Sequence, residues 1–312
     1  DIGGEIMNKN SDMLRALFPI IGLALVFIIF NILTSGSMIA KLPLVLSQIY
    51  IIMISATGVF FIMSTGGLDF SQGSILGMAS IIVCILSKIN IPLAILGGIL
   101  TGALIGAFNG FFYVNRKIPS FIVTICTMFL LRGFIKFFTT NAPVSASIDI
   151  VTLDSPTLKF CFTILVVLIG FVVFRFTKFG KYLKAIGAGE KAAMFAGICT
   201  DKMKFLLYVI AGAITGFAAF INVIKVGSVT SSAGNQLETQ ILIALVLGGM
   251  PISGGAKVRF ENIVVGSLLY IVLNSGLTML GFSTQLMQLI QGLVFLVFVA
   301  VFADRKSLKV IK

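Results

Sequence analysis

The chain alternates between long apolar stretches and short polar segments along its whole length. A helix that crosses the hydrocarbon core of a bilayer, which is about 30 Å thick, needs roughly 20 mostly apolar residues. The pattern therefore predicts ten transmembrane helices. We place them at Phe18–Leu33, Leu42–Ser64, Gly73–Ser87, Pro92–Val114, Ser120–Phe138, Leu158–Phe174, Phe205–Ile224, Thr239–Met250, Asn262–Leu280 and Thr284–Phe302.

Two of these stretches, the third and the eighth, are short for a full crossing. Each borders a glycine pair: Gly66-Gly67 precedes the third, and Gly248-Gly249 lies at the end of the eighth. Irregular backbone at membrane depth is tolerated only where it is buried in protein or lines a cavity. We therefore treat both stretches as candidates for broken or re-entrant elements.

Composition supports a membrane location. Apolar residues make up 58% of the chain, charged residues make up 11%, and the mean hydropathy is +1.12. In ordinary soluble domains about 25% of the residues are charged. This composition excludes a soluble domain, a disordered chain and a secreted disulfide scaffold. The predicted fold class is an all-α polytopic membrane protein with about ten transmembrane helices.

The few charges are unevenly distributed, because 23 Lys and Arg against 11 Asp and Glu give a net charge of +12. If the N-terminus is cytoplasmic, 17 of the 23 basic residues fall in cytoplasmic segments, as the positive-inside rule demands. We therefore predict an N-in/C-in topology and attribute the basic surplus to membrane insertion, not to nucleic-acid binding. The predicted domains are a cytoplasmic segment 1–17, a transmembrane domain 18–302 and a cytoplasmic tail 303–312.

The first helix follows Lys9 and Arg15 and could be mistaken for a secretory signal peptide. The distribution of charges alone does not exclude its cleavage, because the remaining nine helices would keep the same orientation. No clear A-x-A cleavage site follows it, so we expect a retained helix. Met7 is a candidate native start, in which case residues 1–6 are extraneous.

The residue types argue against an enzyme. The sequence has no histidine, which excludes Ser-His-Asp triads, Cys-His pairs, HExxH metal sites and histidine proton relays. The four cysteines are far apart and are interpreted as small apolar fillers of helices; they are Cys84, Cys126, Cys161 and Cys199. We therefore predict no catalytic residue and no metal site.

The segment from Arg175 to Lys204 is the longest predicted cytoplasmic loop and carries seven of the 17 cytoplasmic basic residues. Glycines bracket a run of good helix formers at residues 190–196, which predicts a short helix with defined ends. The small side chains of Ala192, Ala193 and Ala196 fall within one turn and would allow a partner surface to approach closely. Spacing alone leaves two readings open, a solvated connector on the lipid surface and a docking site.

A stripe of small residues marks the fourth predicted helix. Glycine recurs at every fourth position, at Gly98, Gly102, Gly106 and Gly110. Such a small-xxx-small stripe lets another helix backbone pack closely, and we favour this packing role. Asn109 lies beside the stripe, where it would either hydrogen-bond between helices or line a path.

Five motifs follow one another along the chain. They are STGGLDFSQGS at 64–74; FNG at 108–110; KIPSFI at 117–122 with Thr124, Thr127 and Arg132-Gly133; the glycine- and alanine-rich loop 180–204; and VLGG at 246–249 with Gly254-Gly255, Gly266 and NSGL at 274–277. In this order they resemble the permeases of ribose/xylose-type ABC sugar importers, in the branched-chain amino acid/ribose permease superfamily. The similarity extends from about Pro43 to Asp304.

The resemblance implies a type II-like ABC importer permease in the bacterial cytoplasmic (inner) membrane. In such permeases the loop between the sixth and seventh helices forms a coupling helix that docks on an ATP-binding subunit. The matching positions are Gly187, Gly189, Glu190, Ala192, Ala193, Ala196 and Gly197. The other implied partners are a second permease, identical or paralogous, an extracytoplasmic substrate-binding protein, and a sugar.

ATP binding is expected in partner subunits. The chain has no G-x-x-x-x-G-K-[ST] loop that would cradle phosphates. ATP and Mg are therefore expected on the ATP-binding subunits, and no cofactor is expected in this chain.

The candidates for the solute path or its gate are Asp69, Ser71, Asn109, Gln236 and Glu238. For Asp69 we favour an N-cap of the third helix over a path role, because a carboxylate at a helix start satisfies free N–H groups. Gln72 departs from the Leu or Val that the family usually has there.

The leading interpretation is an ATP-driven, binding-protein-dependent importer of a monosaccharide. Similar permeases also carry nucleosides and other small polar solutes, so the cargo stays open. An ion-coupled secondary carrier is less favoured, because carriers keep ionisable groups deep in the membrane and only Arg132 is deep by our boundaries. An intramembrane enzyme would need a paired carboxylate or a nucleophile–base pair, and neither pattern occurs in the sequence.

Overall fold

The computed structural model describes residues 19–302, and almost all of its regular structure is helical. The predicted segments 1–17 and 303–312, and the predicted helix start at Phe18, lie outside these residues. The helices are α1 (Pro19–Leu33), α2 (Ser37–Ala40), α3 (Leu42–Leu46), α4 (Ile49–Ser64), α5 (Gln72–Ser87), α6 (Ile91–Asn115), α7 (Ser120–Phe138), α8 (Ile148–Val151), α9 (Pro156–Phe176), α10 (Lys178–Ala188), α11 (Glu190–Phe195), α12 (Thr200–Val226), α13 (Leu237–Leu247), α14 (Glu261–Met279) and α15 (Thr284–Phe302). The strands β1 (Val144–Ser145) and β2 (Ser228–Val229) pair antiparallel, with Val144 opposite Val229.

Each of the ten predicted apolar stretches contains a helix. Within the described residues, six helical segments are long and apolar enough to cross a membrane: Leu42–Ser64, Ile91–Asn115, Ser120–Phe138, Pro156–Phe176, Thr200–Val226 and Glu261–Met279. Four shorter apolar helices accompany them: Pro19–Leu33, Gln72–Ser87, Leu237–Leu247 and Thr284–Ala300. The mostly helical, membrane-spanning fold class is thereby confirmed.

The third and eighth predicted stretches are helices preceded by irregular backbone. α5 follows a turn at residues 65–71, in which Gly66 has a left-handed φ of 81°. α13 follows residues 230–236, where Gly234 (φ 67°) and Gln236 (φ 64°) are left-handed. Left-handed residues cannot continue a right-handed helix, so each helix begins only after its irregular segment, α5 at Gln72 and α13 at Leu237. Both helices nevertheless begin slightly before the predicted stretches, and α13 ends at Leu247, before the predicted Met250.

The chain divides into two compact units, of which the larger, unit 2, comprises residues 50–241 and 253–258. In its centre α6 packs against α12 through the predicted glycine stripe. A Cβ atom on Gly102 would overlap the carbonyl oxygen of Gly212, and a Cβ on Gly212 would overlap that of Gly102. Gly98 and Gly216 form the same kind of pair one turn away. The two backbones therefore touch directly, as small residues at helix interfaces allow.

Unit 1 comprises residues 19–49, 242–252 and 259–302. Glycines of α14 again permit close packing. A Cβ on Gly266 would overlap the carbonyl oxygen of Ala244, and one on Gly276 would overlap the ring of Phe30. A side-chain hydrogen bond of 2.9 Å from Gln291 to Asn274 joins α15 to α14.

The predicted loop 175–204 is more ordered than expected. Besides the predicted short helix, α11, it contains the amphipathic helix α10, which buries Leu183 and Ile186, and α12 begins at Thr200 rather than Phe205. The prediction missed α10 because its apolar residues are few and spaced as one face of a surface helix, not as an apolar run.

Candidate functional site

Asp69 lies in the turn before α5 and is 1% exposed. Its Oδ1 accepts hydrogen bonds from the Ser71 backbone N–H (2.8 Å) and the Ser71 hydroxyl (2.6 Å). Its Oδ2 accepts one from the Gln72 side-chain amide (2.7 Å). The carboxylate is thus satisfied by Ser71 of its own turn, which we call the Asp69 turn (residues 65–71), and by Gln72, the first residue of α5.

The prediction that Asp69 is the N-cap of the third apolar helix, α5, is wrong. The N-cap residue of α5 is Ser71, whose side chain makes no capping hydrogen bond. Asp69 stands two residues earlier, and its carboxylate binds the N–H of Ser71 itself. This is an Asx-type turn, in which a short acidic side chain hydrogen-bonds the backbone two residues on.

Asn109 connects this turn to two helices. Its side-chain N–H donates to the Ser71 hydroxyl oxygen (2.9 Å), and its carbonyl oxygen accepts from the Thr127 hydroxyl (2.6 Å). Asn109 is fully buried. The sequence left two roles open for Asn109, a hydrogen bond between helices and the lining of a path. In the structure its side chain forms hydrogen bonds that join α6 to α7 and to the turn.

Gln72 extends the network to α12, because its Oε1 accepts a hydrogen bond from the Thr215 hydroxyl. The resulting Asp69 cluster joins the turn, α5, α6, α7 and α12, and every member is buried. Its members are Asp69, Ser71, Gln72, Asn109, Thr127 and Thr215. A fully hydrogen-bonded buried network holds one arrangement of the helices around it.

A second polar group lies where residues 233–234 meet α7. The guanidinium of Arg132 donates to the carbonyl oxygens of Ala233 (2.8 Å) and Gly234 (2.7 Å). Its Nη2 also lies 3.6 Å from Oε2 of Glu238, whose side chain is 10% exposed. That oxygen accepts no hydrogen bond within the described part of the chain. The buried acid therefore depends on Arg132 for charge compensation.

Gly73 makes this arrangement sterically possible. A Cβ atom at this position would overlap both Glu238 Oε2 and the carbonyl oxygen of Gly234. Gly73, which belongs to the first sequence motif, is therefore the position on α5 against which residues 230–236 pack.

The structure does not bring all predicted path residues together. Asp69, Ser71 and Asn109 share one cluster, and Glu238 pairs with Arg132. Gln236 is exposed, at the N-terminal side of α13. Its backbone is left-handed, with a φ of 64°.

The short helix α11 lies between Gly189 and Gly197, and its alanines do not form one exposed surface. Ala193 is 4% exposed, whereas Ala192 and Ala196 are exposed. The large exposed apolar residues are Phe195, at 85%, and Met194, at 53%. The expected alanine surface is therefore corrected: Ala193 packs inward, and the apolar surface belongs to its neighbours.

The flanks of α11 are anchored. A Cβ on Gly187 would overlap the carbonyl oxygen of Ser64, so the end of α10 packs directly on the last residue of α4, just before the Asp69 turn. Gly197 ends the segment with a left-handed φ of 84°. Glu190 forms an ion pair with Lys204 of α12.

Sequence reasoning missed three members of the Asp69 cluster as site residues: Gln72, Thr127 and Thr215. Gln72 stood out only as a departure from the family pattern, and Thr127 only as part of a motif. Thr215 lies in an apolar run with no motif. A polar residue within an apolar helix is the signal they share. No group of three or more Cys, Asp or Glu suited to a metal ion occurs in residues 19–302.

Comparison with known proteins decides the family. Residues 42–299 match the family described as the permease component of the branched-chain amino acid transport system. The chain belongs to this family. The resemblance inferred from the five motifs is thereby confirmed, and this permease is a transport subunit of the bacterial inner membrane, not an enzyme.

Relatives of the permease match over most of their length. The ribose import permease protein of Bacillus subtilis is 32% identical, covering 95% of this chain and 94% of that protein. The fructose import permease protein of Rhizobium meliloti is 28% identical, covering 92% and 84%. The L-arabinose ABC transporter permease protein of Azospirillum brasilense is 30% identical, covering 76% and 72%. No solved structure matches the chain at a significant level.

Proposed function

We propose that the chain is the transmembrane permease subunit of an ATP-driven, binding-protein-dependent importer of a monosaccharide such as ribose. The observation that carries this proposal is the similarity to a ribose import permease over 95% of the chain. The fructose and arabinose permeases among the relatives support the same class of cargo.

In this proposal the chain crosses the membrane ten times, with both termini in the cytoplasm. The four shorter apolar helices and the basic residues at 175–204 support this topology. α5 and α13 would then each cross together with the irregular backbone that precedes them. Residues 65–71, before α5, are mostly buried or half-buried, whereas residues 230–236, before α13, are mostly exposed and would line a cavity, which the bilayer also tolerates.

The proposed partners follow from the same reading. An ATP-binding subunit, which holds ATP and Mg, docks on the coupling residues 187–197. The exposed Phe195 and Met194 support α11 as the contact, because buried aromatic side chains dominate the energetics of interfaces. A second permease and a substrate-binding protein complete the importer.

The path candidates take separate roles. Asp69, Ser71 and Asn109 belong to the Asp69 cluster and hold α5, α6, α7 and α12 together. The exposed Gln236 is the candidate for direct contact with the solute. Glu238 sits beside it on α13, where the Arg132 pair fixes residues 233–238.

The test is reconstitution of the permease in liposomes with its ATP-binding subunit and substrate-binding protein. Uptake of labelled ribose, arabinose, fructose and a nucleoside is measured with ATP, and separately with a proton or sodium gradient. We expect ATP-dependent uptake of one monosaccharide. Uptake of the nucleoside alone would change the cargo class, and uptake driven by an ion gradient without the ATP-binding subunit would overturn the proposal.

A further inference from the structure

A line of contacts within unit 2 runs from α11 to the Asp69 turn. It consists of Glu190 on α11, Lys204 and Tyr208 on α12, Tyr113 on α6 and the carbonyl oxygen of Leu68. We call these four side chains and this carbonyl the relay. Its members come from three helices and a turn.

The α11 end of the relay is an ion pair. Lys204 Nζ donates a hydrogen bond to Glu190 Oε1 and lies 5.1 Å from the centre of the Tyr113 ring. The Glu190 side chain is 48% exposed, and that of Lys204 only 12%. A cation over an aromatic face is attracted by the ring. Lys204 is therefore held from two sides, by α11 and by α6.

The other end of the relay is buried. Tyr208 follows Lys204 by four residues, so the two side chains lie on the same face of α12. The Tyr208 ring packs edge-on against Tyr113, with 5.6 Å between ring centres. Its hydroxyl donates a hydrogen bond of 3.3 Å to the carbonyl oxygen of Leu68, the residue before Asp69.

A backbone contact joins the same two regions. The end of α10 at Gly187 packs on the carbonyl oxygen of Ser64, which also accepts a 3.3 Å hydrogen bond from the Gly255 N–H. The segment that leads into α11 therefore contacts the last residue of α4, directly before the Asp69 turn, and the relay contacts the turn itself at Leu68. Two separate contacts thus lead from the region of α11 to the turn or to the residue directly before it.

We propose that Lys204 and Tyr208 are positioning residues that transmit a displacement of α11 to the Asp69 turn. The proposal rests on the function proposed above, in which α11 contacts the ATP-binding subunit. Packed side chains and hydrogen-bonded turns pass on small shifts because they have discrete arrangements rather than a continuous range. The Asp69 cluster then carries the shift to α5, α6, α7 and α12.

The test uses the complete reconstituted importer, with the four native cysteines replaced by serine and with the substitution Thr65→Cys in the turn. The rate at which a small maleimide labels this cysteine is measured without nucleotide and with ATP plus vanadate. In the parent protein we expect nucleotide to change the rate. Tyr208→Phe, which removes only the hydroxyl, should reduce this change about fivefold, the factor that one lost hydrogen bond typically represents. Lys204→Gln should reduce it as well, whereas Lys204→Arg, which keeps the charge, should retain it.

Matched controls separate the relay from general packing. Tyr270→Phe alters a buried tyrosine of unit 1, and Lys202→Gln alters an exposed lysine on α12; both should respond as the parent does. An unchanged response in Tyr208→Phe, an equal loss in Tyr208→Phe and Tyr270→Phe, or no nucleotide effect in the parent would each overturn the proposal.

A second readout is the amount of ribose moved per ATP hydrolysed. We expect it to fall about fivefold in Tyr208→Phe, while the ATP-binding subunit still co-purifies. If the parent importer moves no sugar with ATP, the proposed function is refuted. The labelling rates do not depend on sugar and would still test whether the relay transmits the displacement.

Discussion

The hydrogen-bond donors around Asp69 come from its own turn and from the side chain of the first residue of α5, not from the free N–H groups of a helix. Its three hydrogen bonds come from the two residues that follow it closely, Ser71 and Gln72. Both of these also bond to other helices, through Asn109 and Thr215. At the scale of one residue, the acid therefore organises a turn, and the turn organises the contacts between helices.

Replacement of Asp69 tests this role. Asp69→Ala leaves three buried donors, two on Ser71 and one on Gln72, without this acceptor and should lower the free energy of unfolding by roughly 1–3 kcal/mol. Asp69→Asn keeps one acceptor oxygen and should cost less. Denaturation in detergent measures both, with the exposed Asp149→Ala on α8 as the control. Equal stability of Asp69→Ala and Asp149→Ala would contradict the assignment.

Arg132 and Glu238 allow a second residue-level test. Arg132→Met leaves the buried Glu238 without its counter-charge, and loss of one partner of a buried pair typically costs about 3–5 kcal/mol. Adding Glu238→Gln to Arg132→Met should restore part of the loss. The free energies of unfolding of the single and double variants measure the coupling, and Lys136→Met, an exposed cation on the same helix, is the control. Additive losses would show that the two side chains do not interact.

At the scale of elements, the contact between α6 and α12 depends on paired glycines. The stripe is visible in the sequence of α6, but its partners Gly212 and Gly216 do not form a comparable run. Only the packed structure pairs Gly102 with Gly212 and Gly98 with Gly216.

Gly102→Ala should destabilise the protein, because the added Cβ overlaps the backbone of α12; overpacking of this kind typically costs about 1–3 kcal/mol. The control is Gly133→Ala on α7, where a Cβ meets nothing within 4 Å. That variant should be neutral or more stable, since alanine is favoured over glycine in helices by about 1 kcal/mol. Thermal unfolding in detergent compares the two, and the reverse order of stability would refute the close contact.

The element α11 offers a test of docking. Phe195→Ser removes its most exposed apolar side chain and should weaken binding of the ATP-binding subunit by about tenfold or more if Phe195 is an interface anchor. Ile148→Ser on α8 removes an equally exposed apolar residue, 81% exposed, elsewhere on the chain and should leave binding unchanged. Affinity is measured with purified subunits in detergent. Equal affinities of the two variants would place the contact elsewhere.

At the scale of the whole molecule, the topology that we propose would place residue 148 outside the cell and residue 195 inside it. In a background without native cysteines, Ile148→Cys should react with an impermeant maleimide in intact cells. Phe195→Cys should react only after permeabilisation. Labelling of both from outside would mean an even number of crossings between them and would refute the topology.

The positions of the helices could be read from the chain, because the transfer of apolar side chains into a membrane is a local property of each stretch. The same holds for α11, whose glycine ends and helix formers are adjacent in sequence. α10 was missed because its apolar face is narrow.

The sequence by itself determined the membrane class, the ten helical stretches, the family and the short helix α11, since each depends on composition or on residues close in the chain. Only the tertiary structure decided which polar side chains meet. Thr215 and Gln72 are 143 residues apart, and Arg132 and Gly234 are 102 residues apart. The physical reason is that a helix apolar on all sides has no periodicity that indicates its rotation or depth. Its neighbours, and thus the partners of Asp69, follow only from how the helices pack.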